Sequence, residues 1–259
     1  LLTADQAARV DILLVSPRNP LNIGAAARAM ANFGFRNLTI VAPFAHNWME
    51  AKSAVGAPDL LRDARVCGTL AEAVAHATLV VGTGSLDRRR PEQTILTLPQ
   101  AAAQIRQTIG NATETNRVAL LFGSEKHGLT TSDLSWCHAI TVIDTADAQP
   151  SMNLGQAVAV CLYEISRLPE SGTALAQTEP IGADRTIQDQ EQPTSEQLDR
   201  LAQLIEETME SVNYATRGMR SANGEALRVL LRRLMPEDAD LRRIMGLFRR
   251  ILWQLRQKQ

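Results

Sequence analysis

An α/β fold, with a mostly parallel sheet covered by helices on both faces and a small all-helical unit after it, is the class this 259-residue chain predicts. Three observations carry the expectation. Short Val/Ile/Leu runs alternate with amphipathic segments as far as residue 168. Such continuous apolar runs suit strands buried on both faces, as in parallel sheets. Glycine beside polar side chains follows several of the runs, at the strand ends where ligands of open α/β sheets bind. Beyond an acidic stretch the apolar spacing becomes helical only.

Taken in order, Val10-Asp-Ile-Leu-Leu-Val15 reads as a buried strand, and the alanine-rich residues 23–33 read as a helix. Leu38-Thr-Ile-Val41 is the second strand. A helix over 70–76, the strand Thr78-Leu-Val-Val81 and a helix over 99–109 come next. The strands Val118-Ala-Leu-Leu-Phe122 and Ala139-Ile-Thr-Val-Ile143 precede a long helix over 154–168. Residues 1–168 therefore form the first domain. Residues 169–193 hold five acids, one base, three prolines and two glycines without apolar periodicity, the composition of a flexible linker. Residues 194–259 form a helical domain. Its first helix starts at Thr194-Ser-Glu-Gln and carries an apolar stripe from Leu198 to Val212; two more fit 224–234 and 238–257.

Charge is unevenly spread. The formal net charge is -1, yet from Arg217 onward there are eleven bases against four acids. That basic region suits a polyanionic partner. No apolar run of about eighteen residues could cross a bilayer, and the first residues lack the pattern of a signal peptide, so a cytoplasmic protein is expected. Cys67, Cys137 and Cys161 form no C-x-x-C pair, and Cys161, in an apolar stretch, reads as a small core residue. No metal pattern is present.

Three runs carry the chemistry: Asn22-Ile-Gly-Ala-Ala-Ala-Arg28, Phe122-Gly-Ser-Glu-Lys-His-Gly128 and Ser151-Met-Asn-Leu-Gly-Gln-Ala157. In the first, Asn22 near a helix start admits two roles. It caps the helix while Arg28 is solvated, or the helix start and Arg28 together hold a phosphate or developing oxyanion. In the second, Glu125 sits between glycines after a strand, either solvated in a tight turn or part of a site. His127, alone in that turn, reads as solvated or capping. The spacing excludes a P-loop, because Lys126 is not followed by Ser or Thr, and no dinucleotide fingerprint occurs. Kinase and dehydrogenase readings lose their usual phosphate loop. In the third run Ser151 and Asn153 are good caps for the next helix, whose first N–H groups also face any ligand there.

These runs, in this order and with Asn-Phe-Gly-Phe at 32–35, resemble the three signature motifs of the SPOUT superfamily of S-adenosylmethionine-dependent RNA methyltransferases. Over residues 10–168 the likeness is greatest to the TrmH/TrmJ group of ribose 2'-O-methyltransferases, and a basic helical extension after an acidic linker resembles the TrmJ type. The resemblance implies a parallel sheet whose C-terminal segment threads a loop in a deep trefoil knot, a homodimer, and S-adenosyl-L-methionine bent within the knot. Sequence periodicity cannot show a knot, which is rare by default. Cofactor contacts implied are Thr83, Gly84, Ser85, Gly123, Ile143, Pro150, Ser151 and Met152. The implied catalytic group is Arg28, with Asn22, Glu125, Ser151 and Asn153 positioning it, the ribose and the cofactor; Glu125 is a candidate anchor for Arg28 itself. Arg88, Arg89 and Arg90, directly after the cofactor loop, are expected to contact the RNA backbone. The TrmJ type implies tRNA as partner and anticodon-loop nucleotide 32, cytidine or uridine, as target. Ribosomal RNA is the alternative substrate, and a non-catalytic RNA-binding protein, which should have lost Arg28 or Asn153, the remaining one. Gly155, where related sequences often have serine or alanine, departs from the pattern.

Overall fold

A computed structural model describes residues 1–44, 48–50, 53–84, 91–110, 115–146, 148–167, 192–212, 214 and 220–257. In chain order the elements are α1 (Ala4–Ala7), β1 (Val10–Val15), α2 (Pro20–Phe33), β2 (Asn37–Val41), α3 (Pro58–Arg62), β3 (Arg65–Cys67), α4 (Leu70–Val74), β4 (Leu79–Thr83), β5 (Thr94–Thr97) and α5 (Leu98–Gly110). They continue with β6 (Val118–Phe122), α6 (Thr131–Leu134), β7 (Ala139–Val142), α7 (Leu154–Ser166), α8 (Ser195–Ser211), α9 (Arg220–Leu234) and α10 (Asp238–Arg256). The expected α/β class is present: seven strands form one sheet in the order β3-β2-β1-β6-β4-β7-β5, each neighbouring pair parallel.

Strand alternation divides the core. Ile12 and Leu14 of β1 face α2, α5 and α7 with Ile23, Met30, Ile105 and Val158. Leu13 and Val15 face the other side with Leu70, Val74, Leu121 and Leu134. Side chains two apart share a face, so one run supplies both layers. Each fully buried Leu or Ile contributes roughly 1.5–3 kcal/mol relative to exposure. Asp11, the polar member of β1, is matched by Arg117 in a two-pronged ion pair with contacts of 2.8 and 3.3 Å.

The helix called over 23–33 begins earlier. Asn19, not Asn22, is the N-cap of α2: its side chain accepts from the Leu21 N–H at 2.9 Å, and Pro20 occupies the first turn. Helix α7 lies against α2, and Gly155 is the reason they come so close. A Cβ at Gly155 would lie 2.6 Å from the Cβ of Ala25. Gly155 is thus matched by Ala25 on this chain's own α2.

The helical extension docks on the sheet domain. Backbone N–H groups of Ser195 and Glu196, at the start of α8, donate to the carbonyls of Ala77 and Ala75 just beyond α4 at 2.8 and 3.1 Å. Arg232, fully buried, donates from Nε to the Trp136 carbonyl at 2.9 Å and from Nη2 to the Ser195 hydroxyl at 2.7 Å. Its guanidinium and that of Arg228 lie 5.0 and 4.8 Å from the Trp136 ring centroid. Burial lowers Arg232 to about 10, which leaves it charged at neutral pH. Part of the basic tail is therefore structural, since Arg228 and Arg232 face the domain. Arg232→Ala is expected to strand the Trp136 carbonyl and the Ser195 hydroxyl and to lower Tm by roughly 5–10 °C, with Arg232→Lys failing to restore it, as thermal melts would show.

The three cysteines are buried and free. Burial pushes Cys137 and Cys161 up to about 12, as fits core residues. His138 is held neutral, pushed down to about 3 by burial and by Arg232, while its Nδ1 accepts from the Val80 N–H at 3.0 Å. It joins β7 to β4. Among the described residues no helix is long and apolar enough to cross a membrane.

Candidate active site

The carboxyl ends of β4, β6 and β7 open into a cavity of about 570 Å³. Its wall is built by three chain segments. Thr83 and Gly84 end β4, Gly123 and Glu125 follow β6, and Ile143, Pro150, Ser151 and Met152 belong to the stretch between β7 and α7. All the residues expected at a cofactor line it, except Ser85, which lies outside the described residues together with Arg88, Arg89 and Arg90. Leu129, Leu134 and Ile140 give it an apolar floor. A cavity of this size with mixed lining suits a cofactor-sized ligand.

Gly123 makes the closest approach. A Cβ there would lie 2.0 Å from the Gly128 carbonyl carbon and 2.1 Å from the Leu129 nitrogen. Only glycine lets the chain leave β6 and fold back on itself, with the Gly128 N–H donating to the Ser124 carbonyl at 2.8 Å. Residues 123–128 thereby form one wall of the cavity.

A hydrogen-bonded chain joins the three sequence motifs. Asn153, the N-cap of α7, accepts from the Gly155 N–H through Oδ1 at 2.9 Å and donates from Nδ2 to Asn22 Oδ1 at 2.8 Å. Asn22 Nδ2 then donates to Glu125 Oε1 at 3.0 Å. Glu125 also accepts from the Arg18 N–H at Oε2 and the Asn19 N–H at Oε1, both at 2.9 Å. Asn22, Glu125 and Asn153 form one hydrogen-bonded network, and Ser151 lines the cavity.

One expectation about this network is corrected. Glu125 does not anchor Arg28; its oxygens are taken by Asn22 and the backbone before α2. Arg28 is exposed on α2 and is not part of the cavity wall. Six residues carry it roughly 240° around the helix from Asn22, so the two side chains leave on different faces. Arg18 and Asn19 were missed as members of the site. Asn-Pro at 19–20 was the available signal, a cap residue before a helix-starting proline.

Burial works to raise the Glu125 carboxyl, but hydrogen bonds from Asn22 and from backbone N–H groups outweigh it and hold the group below the usual carboxylate range. A depressed carboxyl stabilises the fold above its unfolded pKa of about 4.3 and loses that contribution as pH falls through the lower folded value. Glu125→Gln, which would set an amide N–H against donors, is therefore expected to be less stable than the parent at pH 7 and to approach it below about pH 4. Thermal melts across that range check this; a constant difference would contradict it.

The parallel sheet, the cofactor-sized cavity at its carboxyl end and the asparagine–glutamate network that reaches its wall at Glu125 fit an α/β enzyme that binds a cofactor-sized ligand. The chain matches the SpoU rRNA methylase family over residues 9–163 and belongs to it, a family of S-adenosylmethionine-dependent enzymes that methylate RNA ribose 2'-hydroxyls. Among its relatives, the tRNA (cytidine/uridine-2'-O-)-methyltransferase TrmJ of Sodalis glossinidius is 31% identical over 244 residues, 92% of this chain and 89% of the relative. The tRNA (cytidine/uridine/adenosine-2'-O-)-methyltransferase TrmJ of Pseudomonas aeruginosa is 38% identical over 159 residues, 61% of this chain and 60% of the relative. The crystal structure of TrmJ from Z. mobilis ZM4 superposes with a TM-score of 0.78 at 28% identity, covering 94% of this chain and 99% of that one.

Proposed function

We propose that the protein methylates the ribose 2'-hydroxyl of tRNA, at nucleotide 32 of the anticodon loop on cytidine or uridine. The observation that carries this reading is the Asn153–Asn22–Glu125 network, which ties α2 and the start of α7 to the β6 loop, whose Glu125 lines the cavity. Relatives named as tRNA 2'-O-methyltransferases match over 92% of this chain, which takes in the helical extension as well as the sheet domain and favours tRNA over ribosomal RNA. We further propose a cytoplasmic homodimer whose sheet domain carries a deep trefoil knot in its C-terminal part.

S-adenosylmethionine, when bound, supplies an electrophilic methyl group on a sulfonium. The remaining task for the chain is to aim and activate a weak nucleophile. Gly123 and residues 150–152 would hold the cofactor through backbone groups, with Thr83, Gly84 and Ile143 around it and Ser85 after them. Glu125, already accepting three hydrogen bonds and held below the usual carboxylate range, is a poor base and serves to fix the loop at 18–19. Arg28 carries the chemistry in this reading. A guanidinium stays protonated at neutral pH, so it stabilises the growing alkoxide and the adjacent phosphate, and the hydroxyl proton passes to phosphate or water. Because Arg28 stands outside its own chain's cavity, the proposed dimer is what would bring it to a cofactor. Arg88, Arg89 and Arg90 would grip the RNA backbone.

Incubation with labelled S-adenosylmethionine and either total tRNA or ribosomal RNA, followed by nuclease mapping, tests this. A 2'-O-methyl group at nucleotide 32 is expected. Label confined to ribosomal RNA would overturn the substrate, and cofactor binding without label in either RNA would overturn the reading as a whole.

A further inference from the structure

The loops after β1 and β2 carry an exposed aromatic–cationic pair whose side chains the network above does not use. Phe44, just after β2, is 59% exposed, and the Arg18 guanidinium carbon lies 4.4 Å from its ring centroid. The ring therefore keeps much of its surface open to solvent, with the guanidinium beside it. The pair is held from both sides. The Phe44 N–H donates to the Pro17 carbonyl at 3.2 Å, and the Arg18 N–H donates to Glu125 Oε2 at 2.9 Å. Glu125 lines the cavity, so the Arg18 backbone is tied directly to a residue of the cavity wall, while the two side chains stand outside that wall. Both loops also begin on non-glycine residues in the left-handed region, Ser16 at φ 49° and Ala42 at φ 44°. Such conformations are costly and persist where the surrounding structure enforces them, often at binding sites.

We propose that Phe44 and Arg18 form a stacking platform for an unpaired base of the RNA, the target base or its immediate neighbour, while the ribose enters the cavity. The inference rests on the reading of the protein as an RNA ribose methyltransferase. Bases of single-stranded loops stack on aromatic rings and on guanidinium planes, and Arg18 adds charge for the neighbouring phosphate. Stacking is tolerant of sequence because every base presents a π-face. The platform thus recognises an unpaired nucleotide rather than a particular base.

The test is binding of an RNA hairpin with a 2-aminopurine-labelled loop by the full chain, and of the same hairpin with abasic loop positions. Phe44→Ala and Phe44→Leu are each expected to weaken binding about tenfold, and Phe44→Trp to preserve it. Arg18→Ala keeps the backbone bond to Glu125 and should also weaken binding. Parent protein should quench the 2-aminopurine and lose affinity for the abasic hairpin, whereas Phe44→Ala should do neither. Cofactor affinity and Tm of these variants should match the parent. Unchanged hairpin affinity in Phe44→Ala overturns the platform whether or not RNA is methylated. Unchanged affinity together with loss of dimer would assign the face to a second copy and also overturn it. Hairpin binding with quenching but no methyl transfer would uphold the platform and count against the proposed activity.

Discussion

Gly123→Ala is expected to lower affinity for S-adenosylmethionine on the order of a hundredfold while the chain remains folded. The added Cβ would meet backbone atoms of Gly128 and Leu129 at 2.0 and 2.1 Å, and backbone cannot rotate away as a side chain can. Relief requires residues 123–128 to move, and they form one wall of the cavity. Forced displacement of this kind costs roughly 3 kcal/mol, equivalent to about a hundredfold in binding if the cofactor needs the parent loop. Calorimetric titration with the cofactor measures the loss, and a circular dichroism melt shows whether the fold persists. Parent-like affinity would remove this loop from the cofactor site.

The parts legible in the sequence were those where a local signal and the tertiary environment agree. Runs such as Val10–Val15 and Val118–Phe122 are buried on both faces, so their apolar limits coincide with the strand limits. The edge strands β3 and β5 escaped notice for the complementary reason. Arg65–Cys67 and Thr94–Thr97 are short and mostly exposed, and only pairing with β2 and β7 makes them strands. At the site, glycine beside Asn, Glu and Ser marked the three segments that converge. Partner choice was not legible. Which donors reach Glu125 depends on where α2 starts, and that start at Pro20 rather than residue 23 hands the carboxylate to the backbone of Arg18 and Asn19. Charge in a sequence likewise does not say which face it occupies: Arg232 is buried while Arg249 and Arg250 are exposed.

Arg28→Ala is expected to reduce methyl transfer by roughly 10²–10³-fold, the usual loss when a donor to a developing oxyanion is removed, with cofactor affinity unchanged. The expectation of unchanged affinity follows from geometry, since Arg28 is exposed on α2 and does not line the cavity. That same geometry makes the oligomer testable. If one protomer's Arg28 serves the other's cofactor, a dimer mixed from Arg28→Ala and Gly123→Ala chains contains one complete site: the first chain keeps an intact cofactor loop and the second supplies the arginine. Mixing the two inactive variants should then restore about a quarter of parental activity at random assortment, because half the dimers are mixed and each holds one working site of two. If Arg28 acts on its own chain's cofactor, neither chain of the mixed dimer is complete and activity stays at the level of the separate variants. Full turnover by Arg28→Ala alone would remove it from the chemistry, and the α2 face it shares with Leu21 and Asn32 would need a different account.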